Sequence, residues 1–209
     1  ILAAGGPGIV PAQFIGWRLT VSEGSNQPAP ANPESKPAPS RPKPKGLVLG
    51  FFTVLQDGAS GWIAGFLLTN VQGRPLEFRL TNPVQPTKVQ QILYGPTLEG
   101  YLVGELMGKN LVEKASYPSD LIITDHVLGL EVRKHVEAPV LLVGQGGLPV
   151  ELSGRPGWSV SSQFPDDAAI IKNQIESIDS RVDLIEPFSR IKEAIQETRR
   201  MGMGTRAVA

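Results

Sequence analysis

Carboxylates are the groups through which this sequence can do chemistry. Cysteine is absent, which excludes disulfides, thiolate nucleophiles and Cys-ligated zinc. The two histidines, His126 and His135, are too few for a histidine-rich zinc site, although carboxylates can supplement them. No G-x-x-x-x-G-K-[ST] occurs, and "GQGGLP" (residues 144–149) opens as Gly-x-Gly but lacks the third glycine of a dinucleotide fingerprint. H-E-x-x-H and G-x-S-x-G are missing as well. What stands out is a set of acids at or near apolar runs: Asp57 in "FFTVLQDGASGWIAGFLLTN" (residues 51–70), Glu99 and Glu105 in a helical stretch, and Asp125 in "LIITDH" (residues 121–126). Asp57 has two readings. It is a catalytic or metal-binding acid, or it bends the chain, since Asp beside Gly is a common turn pair.

These acids can meet only if the elements between them form a sheet with helices laid over it. From Gly46 onward "GLVLGFFTVLQD" and "GWIAGFLLTNV" read as two strongly apolar strands. "QGR" connects them to a third, "PLEFRLTNPV", in which Leu76, Phe78 and Leu80 alternate with Glu77 and Arg79. Short connections make this an antiparallel meander. Val89, Ile92 and Leu93, then Leu98, Tyr101, Leu102 and Leu106, and finally Leu111, Val112 and Ala115 recur at three- and four-residue spacing, which predicts helix. Gly95-Pro96 divides that helix into two pieces, and Gly108 marks a further break. "DLIITD" and "APVLLVG" are short apolar runs that read as parallel strands buried on both faces, joined through "HVLGLEVRKHVE". The fold class is therefore α/β: a mixed sheet with an antiparallel three-stranded meander, then helices and two inner parallel strands, over residues 47–164.

In the order strand, strand, strand, helix, strand, with "QDGASGWIAGFLL" and "LIITDH" as the matching pieces, residues 47–144 resemble the ribonuclease-H-like superfamily. The resemblance implies carboxylates converging on two divalent cations, Mg2+ or Mn2+, which neutralise charge on the attacking and leaving oxygens of a phosphodiester. It implies Asp57 and Asp125 as metal ligands, Glu105 as the helical ligand with Glu99 competing, and Asp166 or Asp167 as a further one. The sequence departs from that pattern where Asp57 opens a glycine-containing turn rather than sitting inside a strand.

The remaining segments read as appendages. Residues 1–25 hold a strand-like piece with Phe14, Ile15, Trp17, Leu19 and Val21, and residues 26–46 form a Pro-rich linker too poor in large apolar residues to bury a core. "PSRP" (residues 39–42) is either a P-x-x-P ligand or plain spacer. After an irregular stretch, residues 165–209 form a helical arm in which Ile171, Ile175, Ile178, Val182 and Ile185 follow a heptad-like seam; Pro187 then kinks or divides it. That seam packs on its own domain or on another subunit. No apolar run reaches the length of a membrane span, so no membrane partner is expected. Basic and acidic residues balance at 20 each, and the "RKH" run (residues 133–135) is either a small binding patch or solvated charge. Two functions stand side by side: a non-enzymatic interaction or scaffold domain without a cofactor, meeting a protein partner or itself through residues 165–200, and a metal-dependent nuclease, the only reading with a nucleic-acid partner.

Overall fold

The computed structural model describes residues 14–17, 44–58, 61–144, 157–178 and 182–206. Most of the linker expected over residues 26–46 and the first half of the irregular stretch after Gly147 therefore lie outside the described residues. Strand β2 (Val48–Asp57) is the axis of the sheet, and its residues 48–54 are all buried. Side chains alternate across a strand, so Leu49 and Phe51 enter one core while Val48, Phe52 and Val54 enter another. Strand β3 (Gly61–Asn70) runs antiparallel to β2 from Val48↔Asn70 to Asp57↔Gly61. Strand β4 (Pro75–Thr81) returns antiparallel along β3. The Asn70 carboxamide oxygen holds the turn between them, accepting from the Gln72 and Arg74 amides at 3.0 Å each, and Gly73 supplies the φ of 74°.

On the other side of β2, β5 (Leu121–Thr124) and β6 (Val140–Leu142) add in parallel. The meander and the parallel pair thus form one mixed sheet, and the short strand β1 (Phe14–Trp17) extends it beyond β4. The order is β1-β4-β3-β2-β5-β6. One detail differs from expectation: β6 is the marginal strand, not an inner one. Its outer edge is engaged at Leu142, which exchanges two backbone hydrogen bonds with Ser159 at 2.9 and 3.0 Å.

Two helical layers cover the sheet. The first comprises α1 (Lys88–Tyr94), a turn at Gly95–Thr97, α2 (Leu98–Gly100), a wide π-type helix (Tyr101–Lys109) and α3 (Asn110–Glu113). Leu98, Leu102, Val103, Met107 and Leu111 pack on Phe52, Val54, Phe66 and Ile122. Gly95-Pro96 divides the layer as expected, with Gly95 at φ 50°. Gly108 does not break it. Its bare α-carbon instead admits Val132, whose Cγ2 would lie 2.3 Å from an added Cβ, so the glycine serves close packing against the 3-10 segment Val127–Lys134.

The second layer is the C-terminal arm, made of α4 (Asp167–Glu176) and α5 (Glu186–Arg206). Ile171, Ile175, Ile178, Leu184, Phe188, Ile191 and Ile195 join Leu49, Phe51, Ile63, Leu121 and Ile123 in a single core. Phe188 stands edge-on to Phe51 at 5.7 Å between ring centroids. The seam therefore packs on the chain's own sheet, except that Ile185 faces solvent. The arm is divided into two helices, and Pro187 sits in the first turn of α5, where its missing N–H removes no helical bond. Among the described residues, no helix is long and apolar enough to cross a membrane.

Gly65 shows how closely α5 approaches β3: a Cβ there would lie 2.4 Å from Ile191 Cγ2 and 3.1 Å from Ile195 Cδ1. Gly65→Ala is expected to lower stability by about 1–3 kcal/mol through overpacking. Gly58→Ala, with no atom within 4 Å of the new Cβ, should stay within about 0.5 kcal/mol. Urea unfolding of the two variants measures both.

Candidate functional site

Asp125 follows β5, and the register that sets Thr124 beside Phe52 brings it to the next residue of β2, Thr53. The Thr53 hydroxyl donates to Asp125 Oδ1 at 2.6 Å. From α5, the Lys192 ammonium donates to Oδ2 at 2.7 Å. Thr53 is fully buried, so its hydroxyl needs an acceptor and Asp125 supplies it. The Asp125 side chain is 20% exposed and that of Lys192 41%, so the ion pair itself contributes at most about 1 kcal/mol. Together these contacts tie β2, the end of β5 and α5 at one point. To ligate a divalent cation through Oδ2, the carboxylate would have to exchange the ammonium for the metal.

The other expected acids stand elsewhere. Asp57 closes β2 opposite Gly61; its side chain lies outside the described residues. It is four positions beyond Thr53, about 13 Å along a strand. Glu105 is exposed on the wide helix, in the layer that covers the Phe52 and Val54 face of β2, and Glu99 is exposed in α2 of the same layer. Lys192 comes from the layer on the opposite face, so Glu105 and Asp125 engage different layers. Asp166 is exposed just before α4. Asp167 is 3% exposed and forks with Arg133, accepting from Nε at 2.7 Å and Nη2 at 3.2 Å. Among the described residues, no group of three His, Cys, Asp or Glu stands close enough to hold a metal ion.

Two residues of the "RKH" run make contacts within the chain. Arg133 also donates to the Val136 carbonyl at 2.8 Å and lies over the Phe164 ring at 4.4 Å, so it staples the 3-10 segment to the start of α4. Lys134 pairs with Glu131 one turn back. His126 caps the segment, its Nδ1 accepting from the Leu128 amide at 3.3 Å.

Thr53 and Lys192 are the partners that sequence reasoning missed. Thr53 had a signal: a lone hydroxyl in the run "FFTVL" must find a partner if the strand is buried. Lys192 had none, being 67 positions from Asp125 on an amphipathic helix with many charges. No protein-family model matches the chain, and no curated protein does.

Asp125→Ala should cost about 1–3 kcal/mol, because it strands the buried Thr53 hydroxyl. Lys192→Ala should cost less than about 1 kcal/mol. Equilibrium unfolding of both variants at neutral pH measures the difference, and equal losses would contradict this ranking.

Proposed function

We propose that this chain is a non-enzymatic protein-interaction domain whose contact surface includes α1. The carrying observation is the placement of α1: Val89, Ile92 and Leu93 are 63, 69 and 77% exposed, and the helix buries no residue. A seven-residue helix has little stability of its own in water. This one is instead fixed at its ends. Thr87 and Gln90 form a reciprocal capping box, and Tyr94 stacks against Tyr101 at 4.8 Å. Burial raises the Tyr101 phenol above its ordinary pKa, with Tyr94 adding to the shift. Apolar residues at i, i+3 and i+4 on a capped, protruding helix are the anchors with which a helix enters a partner's apolar groove. Contact through residues 165–200, the other partner surface considered, would fall to the outward Ile170 and Ile185, because the seam itself is buried.

A second reading is a ribonuclease-H-like nuclease using Mg2+ or Mn2+ at Asp57, Glu105 and Asp125, with nucleic acid as substrate. The strand, strand, strand, helix, strand order within a mixed sheet supports it. The Asp125–Lys192 pair and the placement of Glu105 in the opposite layer weigh against it.

Two measurements separate the readings. Ile92→Asp/Leu93→Asp, at exposed positions, should leave the melting temperature nearly unchanged and reduce retention of a specific protein from source-cell extract by about tenfold or more. Identical retention by wild type and variant would contradict the role of α1. Millimolar Mg2+ or Mn2+ should not shift the melting temperature of the interaction domain. A rise of several degrees with either ion would favour the nuclease, since a metal bound only by the folded state stabilises it.

A further inference from the structure

Strand β1 is separated along the chain from β2 by residues 18–47, yet it joins the sheet beyond β4, with β3 and β4 lying between. It is four residues long and pairs antiparallel with β4 from Phe14↔Thr81 to Trp17↔Phe78. Among the described elements, its one extensive contact is with β4. Strands β2 and β3, by contrast, share ten residues each and are sealed by helices on both faces. β1 is held by one sheet edge.

The intervening sequence does not dictate that placement. Three strand spacings separate β1 from β2, about 14 Å, whereas a segment as long as residues 18–47 can reach on the order of 100 Å. Chain length alone therefore does not force β1 onto β4, and another strand can compete for the same edge.

β4 does not depend on β1 for its position. It is registered on β3 from Gly65↔Leu80 to Thr69↔Pro75. The Thr81 hydroxyl accepts from the Ala64 amide at 3.0 Å. Buried Glu77 accepts from the Ser116 amide at 2.7 Å and from Arg79 Nε at 2.6 Å. The edge is therefore formed by contacts that survive removal of its occupant, which is what strand addition requires of a receptor: main-chain groups supply affinity and alternate side chains supply selectivity.

We propose that the outer edge of β4 is an exchangeable strand-binding site, filled in cis by Phe14–Trp17 and open to an extended apolar segment of a partner protein in its place. This deepens the interaction reading and rests on it, but it uses a different surface from α1, so failure here leaves the α1 experiment standing.

The probe is a fluorescent peptide of residues 11–21, titrated by anisotropy into the full chain and into its Ile15→Pro variant, whose own strand cannot pair normally at Leu80. The variant should bind about tenfold tighter or more, because the competing cis state is removed, and a peptide carrying Ile15→Pro should bind neither protein. Equal binding to both proteins, or binding to neither, overturns the proposal. Should the variant fail to fold, hydrogen exchange on the wild-type chain decides. Excess peptide should deprotect the protein's own residues 14–17 while residues 78–81 stay protected, and unchanged protection at 14–17 overturns the exchange.

Discussion

From Val48 to Val54, strand β2 has no face for water. Its residues alternate between two apolar cores, with Leu49 and Phe51 on one side and Val48, Phe52 and Val54 on the other, all at most 6% exposed. A strand of that composition can exist only between two helical layers. The region from Leu98 to Leu111 supplies one, and the C-terminal helices supply the other. The arm is in this sense no appendage: Phe188, Ile191 and Ile195 fill half of the interior that β2 requires.

The same constraint shapes the polar contacts. A hydroxyl in the middle of β2 meets no water, so Thr53 takes the carboxylate at the end of β5, and α5 brings the ammonium that balances it. Arg133 and Asp167 repeat the arrangement at the start of α4. In both cases a charge that looked available for chemistry in the sequence joins a helix of the C-terminal layer to the rest of the domain. Such pairs contribute modestly to stability, but their geometry sets where the helices dock.

How far the fold was legible follows from the range of each interaction. The meander could be read because its strands are apolar, alternate in the third, and are joined by turns whose residues announce them, such as Asn70 and Gly73. The buried runs of β5 and β6 were legible for the same reason. The three- and four-residue spacing found the helical layer and part of its inward face, Leu98, Leu102 and Leu111. It included Val89, Ile92 and Leu93, which are exposed, and passed over Val103 and Met107, which are buried. Over Tyr101–Lys109 a π-type helix turns more slowly than the α-helical period assumes, which shifts the inward face at Val103 and Met107. Hidden altogether were the contacts between distant segments, including β1 on β4, Lys192 on Asp125 and Gly108 against Val132. Nothing local in the chain encodes them.

The most direct measurement concerns a chain that ends at residue 165 and so lacks α4 and α5. Its sheet would expose Leu49, Phe51, Ile63, Leu121, Ile123 and Leu141. At about 1.5–3 kcal/mol for each buried side chain, that loss is comparable with the whole stability of a domain, about 5–15 kcal/mol. Urea titration followed by circular dichroism should show no cooperative transition. A sharp transition with native-like helix and strand content would mean that the first helical layer alone sustains β2, and would contradict the two-layer requirement.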